Sequence, residues 1–220
     1  MRFAFALAFA LWPVAASACD LALVLAVDVS GSVDTEEYRT QMDGLAAALR
    51  DSTVVDALVE QRAQVTLIQW SGRSRQRQTL DWQQMATRAD VSQFAALIEA
   101  DARVWRNFST AVGEALALSL DVLRAVPECR RKVVDVSGDG VSNEGLAPQD
   151  MRGALRAAEV IVNALAIETS DEDLTGWFFE HVIGGEGSFV ITANGFEDYP
   201  AQIRRKLQRE TTRQVSRAQP

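Results

Sequence analysis

Oxygen-bearing side chains occur at every second position of the segment Asp28-Val29-Ser30-Gly31-Ser32. They offer one carboxylate and two hydroxyls, and Gly31 allows the backbone to turn sharply so that both hydroxyls can point inward. Hard cations such as Mg²⁺ prefer oxygen ligands of this kind. Because one carboxylate and two hydroxyls cannot hold such an ion alone, further oxygen ligands must come from other parts of the chain.

Two later positions could supply these ligands. Asp139 lies in the segment Val136 to Gly140, where glycines on both sides permit a tight turn. Thr110 begins a predicted helix, where its hydroxyl could either cap the helix or face the ion. The alternative interpretation of the first motif is a turn followed by a helix cap, without any metal.

The elements around these residues alternate between strands and helices. Apolar runs predict strands at 21–27, 64–70, 132–136, 160–167 and 188–191, and an alternating pattern predicts a short edge strand at 78–82. Helical spacing predicts helices at 34–49, 90–100 with Asp90 as cap, 110–123, 148–158, 171–183 and 196–209. The expected fold is α/β: a doubly wound, mostly parallel sheet with one short antiparallel edge strand and helices on both faces. Ligand sites in such sheets lie at the carboxyl ends of the strands.

The combined pattern resembles the metal-ion-dependent adhesion site of von Willebrand factor A domains. These have Asp-x-Ser-x-Ser after the first strand, a later Thr, and an Asp-Gly after a later strand. The resemblance covers roughly residues 20–208. More narrowly, the segments Leu23 to Ser32, Val134 to Gly140 and Val182 to Gly185 resemble an uncharacterised family of exported bacterial proteins with this fold.

The resemblance implies a role for each site residue. Ser30, Ser32 and Thr110 would bind a divalent cation directly or through water, and Asp28 and Asp139 would act mostly through bound waters. Mg²⁺ is the expected ion, with Mn²⁺ or Ca²⁺ as alternatives. One coordination position would stay open for a Glu or Asp carboxylate of a protein or peptide partner. The implied function is a metal-dependent protein-binding module rather than an enzyme.

Two other classes of function stay open: a Mg²⁺-dependent hydrolase or phosphatase of the bacterial envelope, and a structural envelope protein with a vestigial site. A phosphotransferase of the haloacid dehalogenase type would need a second carboxylate where Ser30 stands. A serine hydrolase would need a partner histidine, and the single histidine, His181, is remote in sequence from the serine motifs. No dinucleotide fingerprint follows the first strand, and the Gly184 to Gly187 loop lacks the lysine of a P-loop.

The first 18 residues predict a secretory signal peptide, since charged Arg2 precedes an apolar run from Phe3 to Val14 and small residues at 16–18. The expected domain is 19–210, and a polar C-terminal tail occupies 211–220. The net charge of −8 argues against nucleic acid as the main partner. No second apolar run is long enough for a transmembrane segment.

Cys19 and Cys129 each precede a predicted strand. If those strands are parallel neighbours, the two sulfurs lie at the same end of the sheet, and a disulfide would join them in an oxidising compartment. The alternative is a lipoprotein anchored at Cys19, because Ala16 to Cys19 loosely resembles a lipobox, although the usual large aliphatic residue is missing. Either interpretation places the protein outside the cytoplasm, in the periplasm, at a membrane surface or secreted.

Overall fold

The computed structural model describes residues 19–170 and 173–212, so the predicted signal peptide and most of the predicted tail lie outside the described residues. The strands are β1 (Leu21–Asp28), β2 (Gln64–Trp70), β3 (Gln76–Gln84), β4 (Arg131–Gly138), β5 (Val160–Ile167) and β6 (Val190–Ala193). The helices are α1 (Thr35–Leu49), α2 (Ser52–Glu60), α3 (Arg88–Ala100), α4 (Val112–Leu123), α5 (Arg152–Ala157), α6 (Leu174–His181) and α7 (Tyr199–Thr211). A 3-10 turn, Pro148–Met151, leads directly into α5.

The strands form one sheet in the order β3-β2-β1-β4-β5-β6. Every neighbouring pair is parallel except β2 and β3, which are antiparallel. This confirms the predicted doubly wound sheet with one antiparallel edge strand. The connection from β1 leads to β2 on one side of β1, and the connection from β3 leads to β4 on the other side. The switch point of the sheet therefore lies between β1 and β4. Val27 pairs with Ser137, which brings the residues that follow these two strands to the same edge.

The central strand β1 is buried along its whole length. Leu21, Leu23 and Leu25 belong to an apolar cluster with the helices α1, α2, α3 and α7. The smaller side chains of Ala22 and Ala26 belong to a second cluster with α4, α5 and α6. Helices therefore cover both faces of the sheet, as predicted, and a strand buried on both faces reads as a continuous apolar run.

The helices α1 and α3 begin with capping boxes. Asp34 accepts hydrogen bonds from the backbone of Glu36 and Glu37, at 2.7 and 2.8 Å, and fixes the start of α1. The prediction that Asp90 caps α3 was wrong. Thr87 is the cap, and Asp90 is the third helical residue, whose carboxylate accepts a hydrogen bond from the Thr87 backbone N–H at 2.8 Å. An acid at this position satisfies the cap's own donor, which is why Asp90 resembles a cap in sequence.

Other boundaries also differ from the predictions. Helix α2 was not predicted, because it is short and follows α1 with no glycine or proline between them; Asp51 caps it. Helix α6 begins only at Leu174, capped by Asp173, while 171–172 are outside the described residues. Helix α7 begins at Tyr199 instead of 196, since Pro200 suits the first turn of a helix.

A disulfide joins Cys19 and Cys129, with the two Cα atoms 4.5 Å apart. It lies where β1 and β4 begin, at the edge of the sheet opposite to Asp28 and Asp139. The predicted pairing is therefore confirmed. A sulfur held in this bond cannot also carry a lipid thioether, so the structure favours the disulfide over the lipoprotein alternative. In the part of the chain that the structure describes, every helix is too short or too polar to cross a membrane.

Candidate metal centre

The structure brings the five predicted site residues together at the carboxyl edge of β1 and β4. The Ser30 and Ser32 hydroxyl oxygens are 3.2 Å apart, and the Thr110 hydroxyl donates to Ser30 Oγ at 3.3 Å. Ser32 donates to Asp139 Oδ1 at 2.7 Å, and the Ser30 backbone N–H donates to Asp28 Oδ1 at 2.7 Å. Three segments that are far apart in sequence thus contribute oxygen atoms to one cluster.

The turn after β1 packs tightly against the loop before α4 at Gly31. The Gly31 backbone N–H donates to the carbonyl oxygen of Phe108 at 2.8 Å. A Cβ atom at Gly31 would lie 3.2 Å from that same oxygen, which is a close contact between two backbones. Beneath the turn, the side-chain amide of Gln41 in α1 donates to the Asp28 carbonyl oxygen at 3.2 Å. The position of both serines therefore depends on a helix and a distant loop.

Thr110 does not cap a helix. Helix α4 begins at Val112, and Ala111 at the cap position offers no side-chain hydrogen bond. Asn143 holds Thr110 instead: its Oδ1 accepts from the Thr110 N–H at 3.0 Å, and its own N–H donates to the Thr110 carbonyl at 2.9 Å. This leaves the Thr110 hydroxyl free to face Ser30. Sequence reasoning missed Asn143, and the one signal that could have found it is its place in the polar loop after Asp139.

Arg103 is a second residue that the sequence did not reveal. One Nη atom donates to the carbonyl oxygens of Val29 and Ser30, at 3.0 and 2.8 Å, and the other donates to the Asp34 carbonyl at 3.2 Å. These bonds fix the backbone of the turn that carries Ser30 and Ser32. No spacing rule identifies this residue, because it lies in an irregular loop after α3.

Both carboxyl groups of the cluster are hard to ionise without a cation. Burial, and then the charge of Asp139, raise the pKa of Asp28 to about 8. Burial also raises the pKa of Asp139. Asp28 Oδ2 is buried and has no hydrogen-bond partner among the described residues. A buried carboxylate oxygen left without a partner is costly, and a bound cation would remove that cost.

The donor set fits a hard divalent cation. Adjacent ligands of an octahedral ion with bonds of about 2.1 Å lie about 3 Å apart. The spacings of 3.2 and 3.3 Å between the hydroxyl oxygens are close to this value. Among the described residues, no three Asp, Glu, His or Cys side chains form a metal-binding group, so the three hydroxyls are needed to complete this oxygen-rich site.

The sheet order and the covering helices define the chain as a von Willebrand factor A fold. Similar solved structures include proximal thread matrix protein 1 (PTMP1) from the mussel byssus, with a TM-score of 0.66 and 20% identity over 86% of this chain and 47% of that chain. A further PTMP1 structure, described as having a zinc occupied MIDAS motif, has a TM-score of 0.63 and 16% identity over 88% of this chain and 46% of that one.

Two bacterial proteins are also similar in structure. A von Willebrand factor type A protein from Catenulispora acidiphila has a TM-score of 0.60 and 17% identity over 88% of this chain and 42% of that chain. The pilus adhesin SpaC from Lactobacillus rhamnosus GG has a TM-score of 0.63 and 14% identity over 89% and 31%. This chain spans less than half the length of each solved chain that it matches.

The chain belongs to the family described as "Protein of unknown function (DUF1194)", whose model matches residues 18–215. This agrees with the resemblance to a family of uncharacterised proteins. No curated protein matches the chain in sequence.

Proposed function

We propose that this chain is a metal-dependent protein-binding module, which grips a carboxylate of a partner protein through a divalent cation. The observation that carries the proposal is the unpartnered, fully buried Oδ2 of Asp28 beside three converging hydroxyl groups. Such an atom is costly in a dry site unless a cation or an ordered water satisfies it.

The five site residues would act as neutral and charged ligands of the cation. The hydroxyls of Ser30, Ser32 and Thr110 would hold the ion without neutralising it. The carboxylates of Asp28 and Asp139 would supply the negative charge, largely through water. A bound divalent cation supplies a Lewis acid that accepts an anionic oxygen. Because the described residues offer two carboxylates here, the centre would keep an affinity for the Glu or Asp carboxylate of a partner.

Two observations support an adhesive role outside the cytoplasm. The disulfide Cys19–Cys129 is typical of proteins in oxidising compartments, which agrees with a periplasmic or secreted protein. The fold is also that of SpaC, a pilus adhesin, and of PTMP1, a thread matrix protein. The predicted signal peptide at 1–18 would provide the export route.

Mg²⁺ is the proposed physiological ion, because the donors are all hard oxygens. Mn²⁺ and Ca²⁺ accept the same donors. Zinc occupies the corresponding motif in a PTMP1 structure, so Zn²⁺ belongs in the comparison. Calorimetric titration of the metal-free protein with each ion ranks the affinities of the four ions directly.

The test measures metal binding and carboxylate binding on the same mature protein. We expect Mg²⁺ to bind the wild type, and Ser32→Ala and Asp139→Asn to abolish binding. The matched control Ser92→Ala, at an exposed position of α3, should bind as the wild type does. A glutamate-bearing peptide should bind in Mg²⁺ and lose its affinity in EDTA.

Equal affinity for the peptide with and without EDTA would contradict the proposal. Turnover of a phosphate ester that requires Mg²⁺ and is abolished by Asp28→Asn would assign the site to a hydrolase instead.

A further inference from the structure

A group of arginine side chains lies beside the candidate metal centre. Arg73 and Arg75 belong to the turn between β2 and β3, and Arg106 belongs to the loop that leads to Thr110. The exposed ring of Phe108 lies in the same loop. We name these four residues the arginine rim.

Hydrogen bonds connect the loops of the rim to the segment Asp28 to Ser32. The Phe108 carbonyl accepts the hydrogen bond from Gly31 at 2.8 Å. On the other side of the loop, Ser71 Oγ donates to the Ser109 carbonyl at 3.1 Å, and the Ala111 N–H donates to the Ser71 carbonyl at 3.0 Å. The turn after β2, the loop before α4 and the turn after β1 therefore form one connected surface.

Arg75 is oriented for recognising an anion. Its guanidinium carbon lies 3.7 Å from the centroid of the Phe108 ring, so the planar group stacks on the ring. One Nη atom donates to the Arg73 carbonyl at 3.2 Å, and the other donors along the guanidinium edge remain available. A stacked guanidinium loses little freedom when it binds a carboxylate in its own plane.

The rim is positively charged on a chain whose net charge is −8. Within the described part of the chain, Arg75 and Arg106 form no ion pair. The Arg73 side chain reaches Glu114 at 4.0 Å, and the Arg73 backbone N–H donates to Glu144 Oε2 at 3.0 Å. Arg106 is exposed and lies three residues after Arg103 in the same loop. Unpaired positive charge concentrated beside the metal centre is complementary to a negatively charged partner.

We propose that the arginine rim is a second recognition surface, which selects an acidic peptide segment with further carboxylates next to the one at the metal. This inference rests on the proposed function, since the cation fixes the first carboxylate. The cation would bind one carboxylate, and the rim would discriminate between a peptide with a single acidic residue and a peptide with several in a row. Phe108 contributes the apolar contact for the carbon chain of such a residue.

The test compares two fluorescent peptides of equal length, one with a single glutamate and one with three consecutive glutamates. Their affinities are measured by anisotropy in Mg²⁺ and in EDTA, at low and high salt. The variants are Arg75→Gln, Arg106→Gln and the pair combined. Arg124→Gln is the matched control, because it removes the same charge from an exposed position at the far end of α4, where Arg124 pairs with Asp121. Circular dichroism checks that each variant is folded.

We expect each rim substitution to weaken the three-glutamate peptide about two- to fivefold at low salt, as for exposed ion pairs. The single-glutamate peptide should bind all variants equally, and Arg124→Gln should bind as the wild type does. High salt should shrink the difference between the two peptides. Arg75→Lys should keep part of the effect, because it retains the charge and loses the planar stacking.

Failure of this inference and failure of the proposed function give different results. If both peptides bind every variant with wild-type affinity and both need Mg²⁺, the rim has no role and the metal centre keeps its own. If the three-glutamate peptide binds equally in Mg²⁺ and in EDTA but loses affinity in the arginine variants, the rim binds acidic peptides and the metal-dependent function is contradicted. Arginine-dependent binding of a single-stranded DNA oligomer, without binding of the acidic peptide, would overturn the choice of partner.

Discussion

Gly113 offers a sharp test of how the loop after Asp139 is positioned. A Cβ atom at Gly113 would lie 2.2 Å from the Leu146 carbonyl oxygen, 2.7 Å from its carbon and 2.8 Å from its Cβ. Because these are mainly backbone atoms, Gly113→Ala must push the loop away by about 1 Å, and overpacking of this kind costs about 1–3 kcal/mol. Leu146 cannot retreat freely, since its N–H donates to the Glu114 carboxylate at 3.0 Å.

The same displacement should reach the candidate metal centre. The loop begins directly after Asp139 and carries Asn143, which holds Thr110 in place. We therefore expect Gly113→Ala to lower both the urea midpoint and the affinity for Mg²⁺. Gly153→Ala is the control, because nothing lies within 4 Å of a Cβ there, and an alanine in helix α5 should be neutral or stabilise by up to about 1 kcal/mol.

The assays are urea denaturation in EDTA and calorimetric titration with Mg²⁺. Denaturation in EDTA separates the cost of packing from any contribution of the ion. A Gly113→Ala protein as stable as the wild type would refute the close packing of α4 against this loop. A destabilised variant with unchanged Mg²⁺ affinity would refute the link from the loop to the site.

Two further predictions concern the frame of the fold. Removing the disulfide with Cys19→Ser and Cys129→Ser together should destabilise the protein by up to about 5 kcal/mol, because the bond spans 110 residues of sequence; urea denaturation of this variant should match that of the reduced wild type, and an unchanged midpoint would contradict the prediction. The second concerns the buried cluster in which Lys206 lies 2.5 Å from Asp135 and 2.6 Å from Glu210. One ammonium faces two carboxyl groups there, and burial, then the charge of Asp135, raise the pKa of Glu210 to about 8. Since the unfolded chain ionises this group near pH 4.5, its contribution to stability is present at acid pH and is lost as the pH rises through about 8. Glu210→Gln should therefore lose less stability than the wild type between about pH 5 and pH 9. Asp28 is present in both proteins and contributes equally to their pH dependence. If stability against pH followed parallel curves in Glu210→Gln and the wild type, the role of Glu210 would be refuted.

The sequence determined the features that depend on local pattern. Strands β2 and β5 match their predicted bounds, because continuous apolar runs are what a strand buried on both faces requires. The alternate oxygens from Asp28 to Ser32 predict a cation site, and this stays a prediction. Parallel neighbours β1 and β4 then made the pairing of Cys19 with Cys129 a consequence of topology.

Tertiary structure decided whatever depends on contacts between distant segments. The sequence left the Thr110 hydroxyl with two roles. The structure separates them, because Asn143 binds the Thr110 backbone and the Thr110 hydroxyl donates to Ser30 Oγ. The support that Arg103 and Gln41 give to the motif cannot be read from spacing, because Arg103 lies in an irregular loop and Gln41 follows the local pattern of its own helix. The arginine rim likewise exists only because the turn after β2 and the loop before α4, about thirty residues apart in sequence, pack against each other. Local periodicity fixes where strands and helices form, and long-range packing fixes which side chains meet.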